Sequence, residues 1–128
     1  VEGYPSHLAW EGGQLVIDPR PLIAALLEAK AGGVPVEVQA AAFHEGFAAA
    51  AVAAATLAAR VNDVDTVALS GGVFQNSRLS ILVAQGLRQA GLQVLQHRLV
   101  PPNDGGISVG QAAIAAFADS APIVEQAV

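Results

Sequence analysis

Apolar residues recur along this chain in two rhythms, and each change of rhythm marks the boundary of an element. Leu8-Ala9-Trp10 and Gln14-Leu15-Val16-Ile17 flank Glu11-Gly12-Gly13. A glycine pair between two short apolar runs predicts a β-hairpin, because glycine supplies the positive φ of a tight turn. Asp18 before Pro19 predicts a helix start: the carboxylate can cap free N–H groups, and proline tolerates the first turn. Leu22, Ile23, Leu26 and Leu27 then follow at helical spacing until Gly32-Gly33 stops the element.

A longer helix is predicted from about Pro35 to Arg60, with Val36, Ala40, Phe43, Phe47, Ala50, Ala54, Leu57 and Val61 as its apolar stripe. Its alanines are strong helix formers, slim enough for close packing. Asn62-Asp63 turns the chain into Thr66-Val67-Ala68-Leu69, read as a short buried strand. Asn76 or Ser77 caps the next helix, marked by Leu79, Leu82, Val83, Leu87 and Ala90 and ended by Gly91. Leu92-Gln93-Val94-Leu95 reads as another strand, and a last helix runs from Ile107 to Phe117. This order implies an α/β domain with at least one right-handed parallel crossover. Residues 1–118 read as one lobe and residues 119–128 as a tail or linker.

Composition narrows the function. The chain has 128 residues, 53% of them hydrophobic, enough to bury a core. Its 11 acidic against 6 basic residues, a formal charge of −5, leave no basic stripe to neutralise a phosphate backbone, which argues against a nucleic-acid partner. Without cysteine there is no disulfide, thiolate zinc site or cysteine nucleophile within these residues. The start at Val1-Glu2-Gly3 and the absence of methionine read as an excised fragment, no signal-peptide pattern is present, and a cytoplasmic protein is expected. The longest apolar run, Phe47 to Ala59, falls short of the ~20 residues a membrane span needs, so no membrane partner is expected.

Two glycine-rich corners carry the candidate chemistry. In Leu69-Ser70-Gly71-Gly72-Val73-Phe74-Gln75-Asn76 an apolar run stops at a glycine pair and a helical pattern begins. Val100-Pro101-Pro102-Asn103-Asp104-Gly105-Gly106 repeats the device some thirty residues on. Glycine corners that open helices suit a phosphorylated ligand, since backbone N–H groups converge there and no Cβ holds the phosphate away. Each corner also reads as an ordinary turn. No Gly-Lys-Ser/Thr ending makes a P-loop, and no spaced third glycine makes a dinucleotide fingerprint. Asp104 is either the cap of the last helix or a hard-cation ligand on a stiff loop. His7, His44 and His97 lack ligand spacing and read as structural, although His44-Glu45 interrupts the alanine face of the long helix. Tyr4 and Trp10 read as core or lobe-contact residues, and Arg78, Arg88 and Arg98 as solvated charges, with Arg98 open to a role beside the second corner.

Taken together, Leu69 to Asn76 and His97-Arg98-Leu99-Val100-Pro101-Pro102-Asn103-Asp104-Gly105-Gly106-Ile107-Ser108-Val109-Gly110-Gln111 resemble the C-terminal part of the hydrogenase maturation carbamoyltransferases, the HypF family; Phe43-His44 in a helix upstream is also similar. The resemblance covers roughly residues 1–118. It implies a lobe of the actin-like ATPase (ribonuclease H-like) fold, similar to the tRNA threonylcarbamoyl transferase domain. Such proteins use ATP and carbamoyl phosphate to make carbamoyl adenylate, then carbamoylate an acceptor, here a partner protein with a C-terminal cysteine. By motif matching, Ser70, Gly71 and Gly72 would lie at the nucleotide phosphates, Asn76 would contact the nucleotide or ribose, and Asp104 would bind a divalent metal, Mg or Fe, completed by residues outside this chain. The preceding lobe of the same protein would be the structural partner, and the chain looks like half a cleft without a complete catalytic apparatus, its catalytic residues unassigned. Carbamoyltransferases of antibiotic biosynthesis are a near alternative, as is a non-catalytic packing module derived from the fold. A kinase lobe of the same superfamily fits less well with the Pro-Pro-Asn-Asp-Gly-Gly loop.

Overall fold

The structure is a computed structural model, and it describes residues 1–118; the tail expected at 119–128 lies outside the described residues. The chain enters through an antiparallel pair, β1 (His7–Glu11) and β2 (Gln14–Asp18), with Trp10 opposite Leu15 and Glu11 opposite Gln14. Gly12 and Gly13 turn it with φ of 57° and 82°, the two positive values that match the twist of a hairpin. Helix α1 (Arg20–Ala31) follows. Pro19 occupies its cap position, yet the Asp18 carboxylate still accepts from the Arg20 N–H at 2.9 Å, so the expected cap acts one residue outside the helix.

Helix α2 (Val36–Val61) is the 26-residue spine of the domain, touching α1, both hairpin strands, β3 and α3. Its buried face differs from the expected stripe. Of the stripe Ala50 is buried, but Val36 and Val61 are 74% and 61% exposed and Phe47 is also exposed, whereas Ala42, Gly46, Ala48 and Ala59, outside the stripe, are buried. The reason is spacing between neighbours: an element packed from several sides turns its slim residues inward, where backbones approach closely, and leaves bulky ones at the margin. Tyr4 lies over Gly46 and donates its N–H to the Ala42 carbonyl at 3.1 Å. By length and apolarity alone α2 could cross a membrane, but Ala48, Ala51, Val52 and Ala55 are occupied against the core.

Strands β3 (Thr66–Leu69) and β4 (Gln93–Gln96) pair in parallel, Thr66 opposite Gln93 and Leu69 opposite Gln96, with α3 (Ser77–Gln89) between them in sequence. Leu69, Leu79, Val83, Ala84 and Leu87 form the core with Ala48 of α2. Gly86 lets α3 meet α2, for a Cβ there would come within 2.7 Å of Val52. The expected burial of β3 holds only at Leu69: Thr66 and Ala68 are exposed, as is Leu95 beside them, because helices cover one face of this two-stranded sheet and leave the other open. Trp10, expected in the core or a lobe contact, is exposed at the hairpin, and Ala90 is exposed at the end of α3. Helix α4 (Ile107–Ala118) has no buried residue.

Candidate functional site

Parallel pairing puts the ends of β3 and β4 side by side, and both glycine corners leave from those ends. In open α/β sheets ligands bind at the carboxyl ends of the strands. Ser70 Oγ and His97 Nε2, one residue past each strand, lie 3.0 Å apart. The Gly71 N–H donates to the Pro102 carbonyl at 2.8 Å, and the nearest heavy atom to a Cβ built on Gly72 is Cβ of Asn103. Motifs thirty residues apart in sequence are therefore one surface.

The first corner does not open α3 directly. A 3-10 turn, Gly72–Gln75, comes first, and Asn76 caps α3, its Oδ1 accepting from the Leu79 N–H at 3.1 Å. Gly71 holds φ 102° and ψ 154°, a conformation reserved for glycine. Because Pro102 takes the Gly71 amide, the expectation that Gly71 offers its N–H to a phosphate narrows to the amides of Gly72 and Val73, which begin the turn and so have no acceptor within it. Ser70, Gly71, Gly72 and Val73 are all exposed.

The second corner resolves the choice of cap. Asn103 Oδ1 accepts from the Gly105 N–H at 3.1 Å and caps a second 3-10 turn, Asp104–Gly106, ahead of α4. Asp104 is exposed, and its carboxylate has no hydrogen bond or ion pair among the described residues. It is free to meet a hard cation, the donor type such an ion prefers. Among the described residues no cluster of three or more His, Cys, Asp or Glu could hold a metal ion. Arg98, next to His97, is exposed.

Beside the first corner lies a cleft of about 190 Å³ lined by Phe43, His44, Phe47, Val73, Asn76 and Leu79. The Phe43 and Phe47 rings are parallel within 3° at 6.4 Å, and His44 stands edge-on to Phe43 at 6.2 Å. Periodicity assigns both phenylalanines to a packing stripe; their place in the cleft depends on how α2 crosses α3, which no local pattern encodes. His44 and Glu45 reach the first turn of α3: His44 Nε2 lies 2.9 Å from Asn76 Nδ2, and Glu45 pairs with Arg78 at 2.9 Å. Arg78 is thus an ion-pair partner and Arg88 donates to Gln96 Oε1, rather than both being free surface charges. His7 is exposed in β1. At the junction of the hairpin and α1, the Arg20 guanidinium, through side-chain hydrogen bonds, holds the Asp18 carboxyl below the usual range, at about 2.

Known proteins carry the same segment. The family described as "Carbamoyltransferase, Kae1-like Domain, second subdomain" matches residues 2–111. The carbamoyltransferase HypF of Rhodobacter capsulatus is 41% identical over 100 residues, 78% of this chain and 13% of that protein. A HypF homolog of Cupriavidus necator is 44% identical over 87 residues, 68% of this chain and 22% of its own length. A crystal structure of full-length HypF in the phosphate- and nucleotide-bound form superposes with a TM-score of 0.86 at 32% identity, covering 94% of this chain and 16% of that one. T. kodakarensis HypF superposes with a TM-score of 0.73 at 28% identity, over 94% and 15%. The chain spans under a quarter of the length of these relatives. Paired corners at the strand ends, an α/β core and a match that covers nearly all the described residues place this chain in the HypF carbamoyltransferase family, at the second subdomain of its Kae1-like domain.

Proposed function

We propose that this chain forms the phosphate side of a nucleotide cleft, one lobe of an actin-like ATPase fold, in a carbamoyltransferase that uses ATP and carbamoyl phosphate through carbamoyl adenylate during [NiFe]-hydrogenase maturation. The observation that carries this reading is the lock between the corners: Gly71 N–H to Pro102 O holds the free Gly72 and Val73 amides and the unpartnered Asp104 carboxylate on one surface. Amides at a helix start attract phosphate oxygens through hydrogen bonds and their aligned dipoles. The apolar cleft at Phe43 and Phe47 fits the planar base of the nucleotide, with Asn76 at its rim. Asp104 would hold a divalent cation, Mg or Fe, together with residues outside this chain; when bound, such an ion offsets phosphate charge. Transfer from an activated carbamoyl group needs oriented donors and charge stabilisation more than a protein nucleophile.

The acceptor in this reading is a partner protein with a C-terminal cysteine, and the lobe that completes the cleft belongs to the same protein. Exposed apolar residues agree with that incompleteness: Leu95 on the open sheet face is 58% exposed and Ile114 of α4 is 71% exposed. The test is a chimera in which this segment replaces the matching one of the Rhodobacter capsulatus relative. The chimera should turn over ATP in the presence of carbamoyl phosphate, and Gly72→Val should abolish that turnover while the protein stays folded by circular dichroism. Turnover near that of the unmutated chimera would reduce the corner to a structural turn. The chain alone should bind Mg-ADP at millimolar affinity or not at all in a calorimetric titration, and micromolar binding would show that it holds the whole site.

A further inference from the structure

A chain of hydrogen bonds through His44 and Asn76 crosses from α2 to the start of α3, and its direction is fixed at both ends. His44 Nδ1 lies 2.7 Å from the Ala40 carbonyl oxygen, which can only accept, so Nδ1 carries the proton and Nε2 presents a lone pair. At the other end the Leu79 N–H can only donate, so the atom of Asn76 that meets it is Oδ1. The Asn76 amide nitrogen then faces His44 Nε2 at 2.9 Å, a donor meeting an acceptor. Rotating the amide by half a turn would set oxygen against lone pair and N–H against N–H, two repulsive contacts in place of two bonds.

Three of the groups involved, His44, Asn76 and the neighbouring Phe43, line the cleft beside the glycine corner. Asn76 has two Nδ2 hydrogens, and His44 takes one. The other remains as a donor at the rim of the cleft.

We infer that His44 is a positioning residue for Asn76: its Nδ1–H tautomer locks the amide so that the cleft sees an N–H donor, selecting a ligand with a hydrogen-bond acceptor at that point, such as a purine ring nitrogen or a ribose oxygen. The inference rests on the nucleotide reading for its ligand, but the lock itself is a property of the ligand-free chain. Glu45 and Arg78 form a second tie between the same helices one position along, so loss of the His44 bond alone leaves α2 and α3 joined.

The experiment has two readouts. In the nitrogen-15-labelled chain, long-range proton–nitrogen spectra should show His44 with Nδ1 protonated and Nε2 bare. His44→Phe keeps a flat ring without an acceptor, and the Asn76 side-chain amide should then exchange with water about tenfold faster; His44→Gln, which restores an acceptor oxygen, should recover most of the protection. In the chimera described above, His44→Phe should raise KM for ATP about tenfold and leave KM for carbamoyl phosphate unchanged, again with recovery in His44→Gln. An Nε2–H tautomer, or an Asn76 amide indifferent to His44→Phe, overturns the inference. So does a parallel rise in both KM values with a fall in melting temperature, the mark of a staple between helices. The expected spectra in a protein that makes no use of nucleotide would support the lock and remove the function proposed for the cleft.

Discussion

The two glycine corners look alike in sequence and are glycine-rich for opposite reasons. At Gly106 the loop itself fills the space: an added Cβ would meet the Pro101 carbonyl oxygen at 2.7 Å and Val100 Cγ1 at 3.0 Å. At Gly71 the space is open but the backbone is not tolerant, with φ 102°. Gly72 has neither constraint. Its φ is not in the left-handed region, and a Cβ would find only Asn103 Cβ at 3.8 Å, an ordinary contact. Packing and conformation therefore account for glycine at 71 and 106 and leave it unaccounted for at 72, where a ligand approaching the free amides would require it. Paired motifs of the same composition thus divide the labour: the second corner is a rigid support and the first presents backbone.

The sharpest way to break this contrast is Gly106→Ala, which forces a methyl group against backbone that cannot rotate away. Urea unfolding of the chain should show a loss of about 3 kcal/mol, the upper part of the range for overpacking. Gly71→Ala should cost about 2 kcal/mol through backbone strain alone, with no steric neighbour involved. Gly72→Ala should change stability by no more than about 0.5 kcal/mol. If Gly72→Ala proves as destabilising as Gly106→Ala, the two corners are equivalent supports and the case for an open phosphate seat fails.

Asp104→Asn sharpens the division within the second corner. Because Asn103 carries the cap, the change should move stability by less than about 0.5 kcal/mol while the metal dependence of turnover in the chimera is lost. Unchanged turnover and unchanged metal dependence would remove Asp104 from the site. The smallest effect is expected far from both corners, at Asp18. Arg20 depresses its carboxyl to about 2, so the pairing contributes above the usual carboxylate range, near pH 4, and is lost as pH falls through about 2. The pair is solvent-facing, with Arg20 86% exposed, so Asp18→Asn should lower stability only slightly above about pH 4, the difference should vanish as pH falls through about 2, and high salt should erase it.

Element order and most boundaries were legible in the residues because their signals are local. Gly32-Gly33 and Gly91 stop α1 and α3, Asn76 caps α3, and the leucines and valines of α3 keep helical spacing on the face that becomes buried. The stripe of α2 was not legible. Where close to half the positions are alanine and many others are apolar, hydrophobicity varies little around the helix, and the buried face is chosen by which side lets neighbours come closest. The burial of β3 likewise depended on how many strands and layers surround it, a fact absent from its four residues.

The corner motifs, and the resemblance they carry, lie in the sequence itself, since glycine, proline, asparagine and aspartate dictate turns over a few bonds. What the tertiary structure decided is the site: that Gly71 gives its amide to Pro102, that Asn103 rather than Asp104 caps the second turn, and that His44 reaches Asn76 across 32 positions of chain. Each depends on directed hydrogen bonds of about 3 Å. Residue type states which groups can donate or accept; only the packing of α2, α3 and the parallel strand pair brings a donor and an acceptor from distant segments to that distance.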